Sequence, residues 1–442
     1  MTTDVRPIGM TTPRPLAAHA AARLGEPRPD ALIGVLALAL LTAVWRMQDL
    51  FAPLGIIRPT ITTTLLAALL FALDTGSRRR LAALRSATLG MAVVLLVILA
   101  IGAPVSIWPG GSIAFLARDF IPSIMLAVLI AGAARGVRDI EVLIAVLLAG
   151  AAIFSVYILV TVQVEPTGRL GRLRYYDVND LALLIVSSIP LAVLMLRRGS
   201  GRLRTTFAVA CLGIFVVTLV RSGSRGGFLA FVVVSFYLLV RYRALPARVR
   251  AGAVIGGMLL LLATGTDRYW QMMQTMLHPK SDYNWAGNTY DGRMEIWKRG
   301  LGYVGEHPAL GVGADAFPVA EGELSTMARH RRELHLSTKW SVAHNAYIHI
   351  AAEGGLFAFA AFVGMLALAF RSLARVNRVA RERGGDPRVA ACAQALTGAF
   401  LGYAFAQFFI SAQYFTFLYV LVGLVAATEK IARMGNERVP AA

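Results

Sequence analysis

His344 and three groups of arginines are the residues of this 442-residue chain whose types and surroundings could do chemistry. The histidine stands in Trp340-Ser341-Val342-Ala343-His344-Asn345-Ala346-Tyr347, where a long polar stretch meets an apolar run ending near Phe370. An imidazole with an unperturbed pKa of about 6.5 can accept a proton near neutral pH. Asn345 is placed to orient it, as is Glu353 lower in the run, while His349 reads as a structural histidine. Upstream, Arg172-Leu173-Arg174-Tyr175-Tyr176-Asp177-Val178-Asn179-Asp180 leads into an apolar run whose helix N-cap is expected at Asn179 or Asp180. Capping accounts for the Asn-Asp pair, but Arg172 and Arg174 could reach a phosphate at a membrane surface.

The second group is Arg221-Ser222-Gly223-Ser224-Arg225-Gly226-Gly227. It reads either as a glycine-rich turn with two snorkelling arginines or as a cradle. In the cradle, backbone N–H groups and the Arg225 guanidinium would grip a diphosphate, and this second reading is preferred. The third group is Asp291-Gly292-Arg293-Met294-Glu295-Ile296-Trp297, a turn leading into a short helix with Ile296, Trp297, Leu301 and Val304 as its apolar stripe. Arg293 falls on the first turn, beside the positive end of the helix dipole, which suits either an anion or a salt bridge to a nearby carboxylate.

The elements that must position these groups are membrane helices. With 57% hydrophobic and 16% charged residues and a mean hydropathy of +0.63, the chain is far more apolar than a soluble protein. The expected fold class is an all-α polytopic membrane protein with about twelve spans. These cover roughly 31–47, 54–73, 86–105, 114–134, 140–162, 180–196, 205–221, 226–241, 250–265, 345–370, 389–410 and 413–429. Residues 1–30 are expected to be a disordered cytoplasmic tail, 266–343 a large outer loop containing short helices, 344–429 the last spans and 430–442 a second tail. The first thirty residues lack the compact apolar core of a signal peptide.

The 44 Lys and Arg against 25 Asp and Glu are read as topology and not as nucleic-acid binding. With both termini in the cytoplasm, inner loops collect Arg78, Arg79, Arg80 and Arg85, then Arg135 and Arg138, then Arg197, Arg198, Arg202 and Arg204. Arg241, Arg243, Arg248 and Arg250 follow, then Arg371, Arg375, Arg378, Arg381, Arg383 and Arg388. Arg169, Arg172, Arg174, Arg221 and Arg225 are left on the outer side, against the bias, where binding an anion would justify them. Cys211 and Cys392 lie far apart inside apolar runs, so no disulfide framework or metal cluster is indicated. No Asp-x-Asp pair marks a divalent-ion site on the outer face, only the weak Glu321 and Glu323. No metal or other cofactor is expected.

Four motifs stand in a telling order: Tyr176-Asp177-Val178-Asn179-Asp180, Ser224-Arg225-Gly226-Gly227, Gly292-Arg293 through Trp297 to His307-Pro308 and Gly311-Val312-Gly313, and His344-Asn345-Ala346-Tyr347 with Glu353-Gly354-Gly355. This order, from about residue 170 to 370, resembles the O-antigen ligase and polymerase superfamily of bacterial envelope glycosyltransferases, with Val178 where the usual motif has proline. The resemblance implies about twelve membrane helices, a large periplasmic loop, a GT-C-like fold and a site facing the periplasm from the inner membrane. It implies a metal-independent, inverting transfer of a glycan from undecaprenyl diphosphate to an acceptor hydroxyl. Arg225 and Arg293 would hold the diphosphate, with Arg221 a rival for Arg225, and His344 would act at the acceptor. Arg221, Arg172, Arg174, Asp177, Asn179, Asn345, Tyr347 and Glu353 are the candidate substrate-binding residues. Three acceptors compete: the lipid A core, which makes a ligase, another lipid-linked repeat, which makes a polymerase, and a protein hydroxyl. The ligase is the preferred reading, and a flippase for lipid-linked sugars is the alternative of another class.

Overall fold

The computed structural model describes residues 29–50, 52–76, 84–166, 168–173, 175–197, 199, 201–278, 282, 284–285, 292–382 and 385–436. The N-terminal tail to residue 28, Arg78, Arg79, Arg80, Arg174, Arg198, Asp291, Arg383 and residues 437–442 lie outside the described residues. Among the described residues the chain is helical, with one isolated bridge between Val164 and Leu170 and no strand. The principal helices are α1 (Ala31–Ala43), α2 (Pro59–Leu73), α3 (Ala87–Gly102), α4 (Pro109–Ala133), α5 (Val137–Thr161), α6 (Val178–Leu194), α7 (Arg202–Ser222), α8 (Arg225–Val240) and α9 (Ala247–Thr264). Then come α10 (Asp267–Gln274), α11 (Arg293–Glu306), α12 (Phe317–Glu323), α13 (Thr326–Glu333), α14 (Ala346–Glu382), α15 (Pro387–Ala406) and α16 (Thr416–Asn436).

Seven described helices are long and apolar enough to cross a membrane: α3, α4, α5, α7, α9, α14 and α15. The difference from about twelve has a plain origin. Four further apolar helices, α1, α2, α6 and α8, have 13, 15, 17 and 16 residues, fewer than the roughly 20 that cross a hydrocarbon core without tilt or thinning. The remaining apolar helix, α16, carries Glu429, Lys430 and Arg433 in its last turns. Lys430 is buried there and donates to the Gly132 carbonyl at 2.8 Å, so its charge is met by a helix C-terminus.

Two helices form the centre. Every residue from Leu181 to Leu194 of α6 is buried, and so is every residue from Phe417 to Lys430 of α16. A helix apolar on all sides has no solvent face and belongs inside a bundle. Ser187 and Ser188 return their hydroxyls to the carbonyls of Leu183 and Leu184, which keeps them satisfied in that apolar setting. Around this centre α15 packs on α6 and α14, α4 on α16, and α3 on α14. Cys211 and Cys392 are both free and buried.

The polar segment between α9 and α14 sits on one end of the bundle as short helices. A buried ion pair staples it internally: the Arg299 guanidinium of α11 grips Glu321 of α12, with Nη2 to Oε2 at 2.6 Å, and the Tyr303 hydroxyl donates to the same carboxylate at 2.9 Å. Glu321 is thereby committed to Arg299, and Glu323 meets Arg332. The segment is anchored where α14 breaks at Gly355, whose φ of +68° and ψ of −171° leave the helix. A Cβ on Gly355 would lie 2.3 Å from the Ala309 carbonyl oxygen. The carbonyls of Ala352 and Glu353 that the break frees are taken by the N–H groups of Val312 and Gly313, at 2.8 and 2.9 Å. The His307-to-Gly313 stretch therefore acts as a structural clasp.

Candidate functional site

Arg225 is the first residue of α8. The turn before it is tight because Gly223 ends α7 in the left-handed region and Ser224 caps α8, its Oγ accepting from the Gly227 N–H at 3.2 Å. The two following glycines serve packing: a Cβ would lie 2.8 Å from the Phe409 Cβ at Gly226 and 2.7 Å from the Ala182 Cβ at Gly227. Of the backbone donors expected to form a cradle, the Gly227 N–H is already used by Ser224, and the Arg225 guanidinium faces the cavity. Arg225 Nη1 donates to Thr275 Oγ1 at 2.8 Å and to the Asp282 carboxylate. Burial alone would raise the Asp282 carboxyl; its bonds to Arg225 and the Asn284 N–H, with the Arg225 charge, hold it below the ordinary range.

Arg293 begins α11, as its position after Gly292 suggested. Two contacts fix that helix against the segment carrying His344. The Trp297 indole N–H donates to the Ala343 carbonyl at 2.8 Å, and Gly300 lies so near α14 that a Cβ would sit 2.7 Å from Ile348 Cγ2. His344 itself has a left-handed backbone, φ +49°, directly before α14. Asn345 then caps the helix, its Oδ1 accepting from the N–H groups of Tyr347 and Ile348 at 3.0 and 3.1 Å. Burial first, and the Arg293 charge second, push the His344 imidazole down to about 4, with Asp177 acting the other way. At neutral pH the ring is uncharged, with one nitrogen able to accept a proton.

These groups face one polar cavity of about 820 Å³. Its wall includes Arg169, Asn179, Arg225, Asp282, Arg293 and His344. An apolar cleft of about 660 Å³ adjoins it, lined by Phe228, Trp270, Met273, Met276 and Trp285 among others. Arg225, Gly226, Thr275, Arg293 and Phe409 line both spaces. Two guanidinium groups therefore stand at the boundary between a polar and an apolar compartment.

Of the residues singled out from sequence, His344, Arg225, Arg293 and Asn179 come together here. Arg221 does not: it is exposed, and its carbonyl accepts from the Leu170 N–H at 2.9 Å. Arg172 is exposed and does not line the cavity. Asp177, and not Asn179 or Asp180, is the N-cap of α6, with its Oδ1 accepting from the Asn179 N–H at 2.7 Å and Asp180 completing a capping box. Tyr347 donates its hydroxyl to the Ala404 carbonyl at 2.8 Å and packs its ring against Phe408 at a tilt, so it supports α15 from the side. Glu353 is fully buried away from the cavity and does not orient His344. It accepts from the Phe317 N–H at 2.9 Å and the Tyr414 hydroxyl at 2.7 Å, and its Oε1 lies 3.0 Å from His349 Nε2.

Sequence reading passed over Thr275, Asp282, Lys339 and Phe409. Arg169 donates to the Ser222 carbonyl and to Asn179 Oδ1, both at 3.1 Å, and so links the first two motifs. Its position on the outer side, against the charge bias, had singled it out in the sequence, and it lines the cavity. Among the described residues no group of three or more His, Cys, Asp or Glu is arranged to hold a metal ion.

The helices and this cavity define a multi-pass membrane protein whose site suits an anionic amphiphile. Residues 209–363 match the family model for O-antigen ligase, and the match supports the O-antigen ligase and polymerase superfamily that the motif order resembles. The matched stretch includes Arg225, Arg293 and His344. Membrane glycosyltransferase activity, with a lipid-linked glycan and an acceptor as partners, is what this family supports in general terms. No curated protein matches the chain.

Proposed function

We propose that the protein is an inverting glycosyltransferase that moves a glycan from undecaprenyl diphosphate to an acceptor hydroxyl, with the lipid A core as acceptor, which makes it an O-antigen ligase. The observation that carries this reading is the pair of arginines at the seam between the 820 Å³ polar cavity and the 660 Å³ apolar cleft. A polyprenyl diphosphate glycan has the same order: an apolar chain, a diphosphate, then sugars. Its chain suits the cleft past Phe228, Trp270 and Met276, its phosphates suit Arg225 and Arg293, and its sugars suit the cavity towards Asn179 and His344.

The chemistry follows from that order. The acceptor oxygen gives its proton to the neutral His344 imidazole and bonds to the anomeric carbon. The bond from that carbon to the diphosphate oxygen breaks, and the electron pair leaves with the phosphate. Arg225 and Arg293 meet the growing negative charge in a partly buried site, where fixed guanidinium groups lower the barrier without rearranging. Attack from the face opposite the leaving group inverts the anomeric centre. Asp282 holds Arg225 in the free protein and is displaced by the diphosphate.

With this reading go about twelve membrane crossings, the shorter apolar helices and α16 included, in a GT-C-like arrangement. Residues 266–343 form a periplasmic loop, the tails are cytoplasmic, and the protein resides in the bacterial inner membrane. Tilting or local thinning accommodates helices of 13 to 17 residues. The test is transfer by detergent-purified protein given an undecaprenyl diphosphate glycan, with and without lipid A core, in the presence of EDTA. A core-linked product that requires the added core is expected. A ladder of lengthening lipid-linked chains without core would make the protein a polymerase, and glycan on a protein acceptor an O-oligosaccharyltransferase. Absence of any covalent product would favour a flippase.

A further inference from the structure

We propose a second binding site, for an anionic phospholipid, at the end of the bundle opposite the polar cavity: one acyl chain inserts between α6, α7, α8 and α9 while the phosphate meets the arginines there. An apolar space of about 480 Å³ lies between these helices, lined by residues such as Ile189, Leu212, Phe231 and Gly256. That volume falls within the range of small-ligand sites, about 300–1,000 Å³. It runs from the middle of the four helices towards the C-terminal ends of α6 and α8 and the N-terminal ends of α7 and α9, where Leu196 and Val249 line it. Arg197 follows Leu196, and Arg248 and Arg250 flank Val249. On its outer wall α9 has only Leu261 buried, so the space is separated from lipid by a thinly packed helix.

Charge at this end is unbalanced. The Glu141 carboxylate, 4% exposed, takes Arg197 at 3.0 Å, Arg204 at 3.2 Å and Arg388 at 3.0 Å, so one negative charge faces three guanidinium groups. Arg197 Nη1, Arg250 Nε and the hydroxyl of the fully buried Tyr242 have no hydrogen-bond partner among the described residues, while Arg250 Nη1 donates to the Leu239 carbonyl at the end of α8 at 2.8 Å. Arginine at such helix ends orients the chain in any membrane protein. Topology alone does not require buried guanidinium N–H groups left unmet, here on the residues next in sequence to Leu196 and Val249, which line the space. A phosphodiester supplies acceptor oxygens for them, and its acyl chain fills the space; basic pockets between membrane helices recognise acidic headgroups in this way.

The test uses full-length protein, delipidated in detergent and titrated with phosphatidylglycerol or phosphatidylcholine in mixed micelles, read by native mass spectrometry and thermal unfolding. Phosphatidylglycerol is expected to bind about thirtyfold more tightly at low salt, from two arginines at roughly 1 kcal/mol each, with the preference shrinking as salt rises. The pair Arg197→Gln with Arg250→Gln should abolish the preference while Arg204 and Arg388 still serve Glu141. Gly213→Leu should abolish retention of both lipids at this site. A Cβ at Gly213 meets nothing within 4 Å and Gly213 lines the space, so the leucine side chain enters it, and this variant, its fold checked by thermal unfolding, decides the matter if the arginine pair does not fold. Equal binding of the two lipids, unchanged retention in Gly213→Leu, or full competition by inorganic phosphate would each overturn the proposal.

Discussion

If His344 takes the acceptor proton, the pH dependence of transfer is set by what surrounds it, and Arg293→Gln should move that dependence in a defined direction. Burial and then the Arg293 charge push the imidazole from the ordinary 6.5 down to about 4. The rate constant kcat/KM reports the free protein, so its acid limb in the wild type should fall near pH 4. Arg293→Gln removes the second cause and leaves the first, so the limb should rise to lie between about 4 and 6.5. Bound donor sets its diphosphate charge against Arg293, so the limb in kcat should lie above that in kcat/KM even in the wild type. The loss of an arginine contact to phosphate should also lower kcat/KM by roughly ten- to a hundredfold, at about 1.5–3 kcal/mol for a hydrogen bond to a charged group. Acid unfolding must be tracked alongside. A histidine whose folded pKa is depressed is protonated first in the unfolded chain, so the stability it contributes is full above about 6.5. That stability is lost as pH falls towards 4, by at most about 3 kcal/mol. Initial rates of glycan transfer against pH, with tryptophan fluorescence as the folding control, make the measurement. A wild-type limb at 6.5 or above, or one that stays put or falls in Arg293→Gln, would refute the reasoning.

Other consequences are as open to test. Asp282→Asn removes a carboxylate that competes with phosphate for Arg225, so the KM for donor should fall severalfold with kcat little changed, read in the same transfer assay. Trp297→Phe loses the 2.8 Å bond to the Ala343 carbonyl beside His344 and should lower kcat about fivefold, at roughly 1 kcal/mol, with a smaller effect on KM. Gly311→Ala should destabilise by more than about 2 kcal/mol in thermal unfolding. Its φ is +66° and a Cβ would lie 2.3 Å from the Glu353 carbonyl carbon. Gly302→Ala, on the open face of α11, should be neutral or stabilising by up to about 1 kcal/mol.

How legible the protein was in its sequence depended on whether the signal was local. Helix positions are local, because an apolar run long enough to span reads directly, and the buried stretches of α6 and α16 were found that way. The break at Gly355 was hidden, since it exists only because Ala309 and Pro308 pass against that backbone from a loop more than forty residues earlier. Among site residues, Arg225, Arg293 and His344 were visible because each stands at a helix start on the polar side. Glu353, by contrast, was misplaced. A carboxylate one turn from His349 on the same helix face pairs with it at 3.0 Å, and i to i+4 spacing should have outweighed nearness to His344. Asp282 and Phe409 could not be found from spacing, because only the folding of distant segments sets them against Arg225 and Gly226.

The most direct test of the central claim is the structure of the protein with an undecaprenyl diphosphate glycan bound. The two phosphates are expected between Arg225 and Arg293, the prenyl chain along Phe228, Trp270 and Met276, and the first sugar facing His344. Phosphates bound away from both arginines, or a sugar that His344 does not face, would contradict that claim.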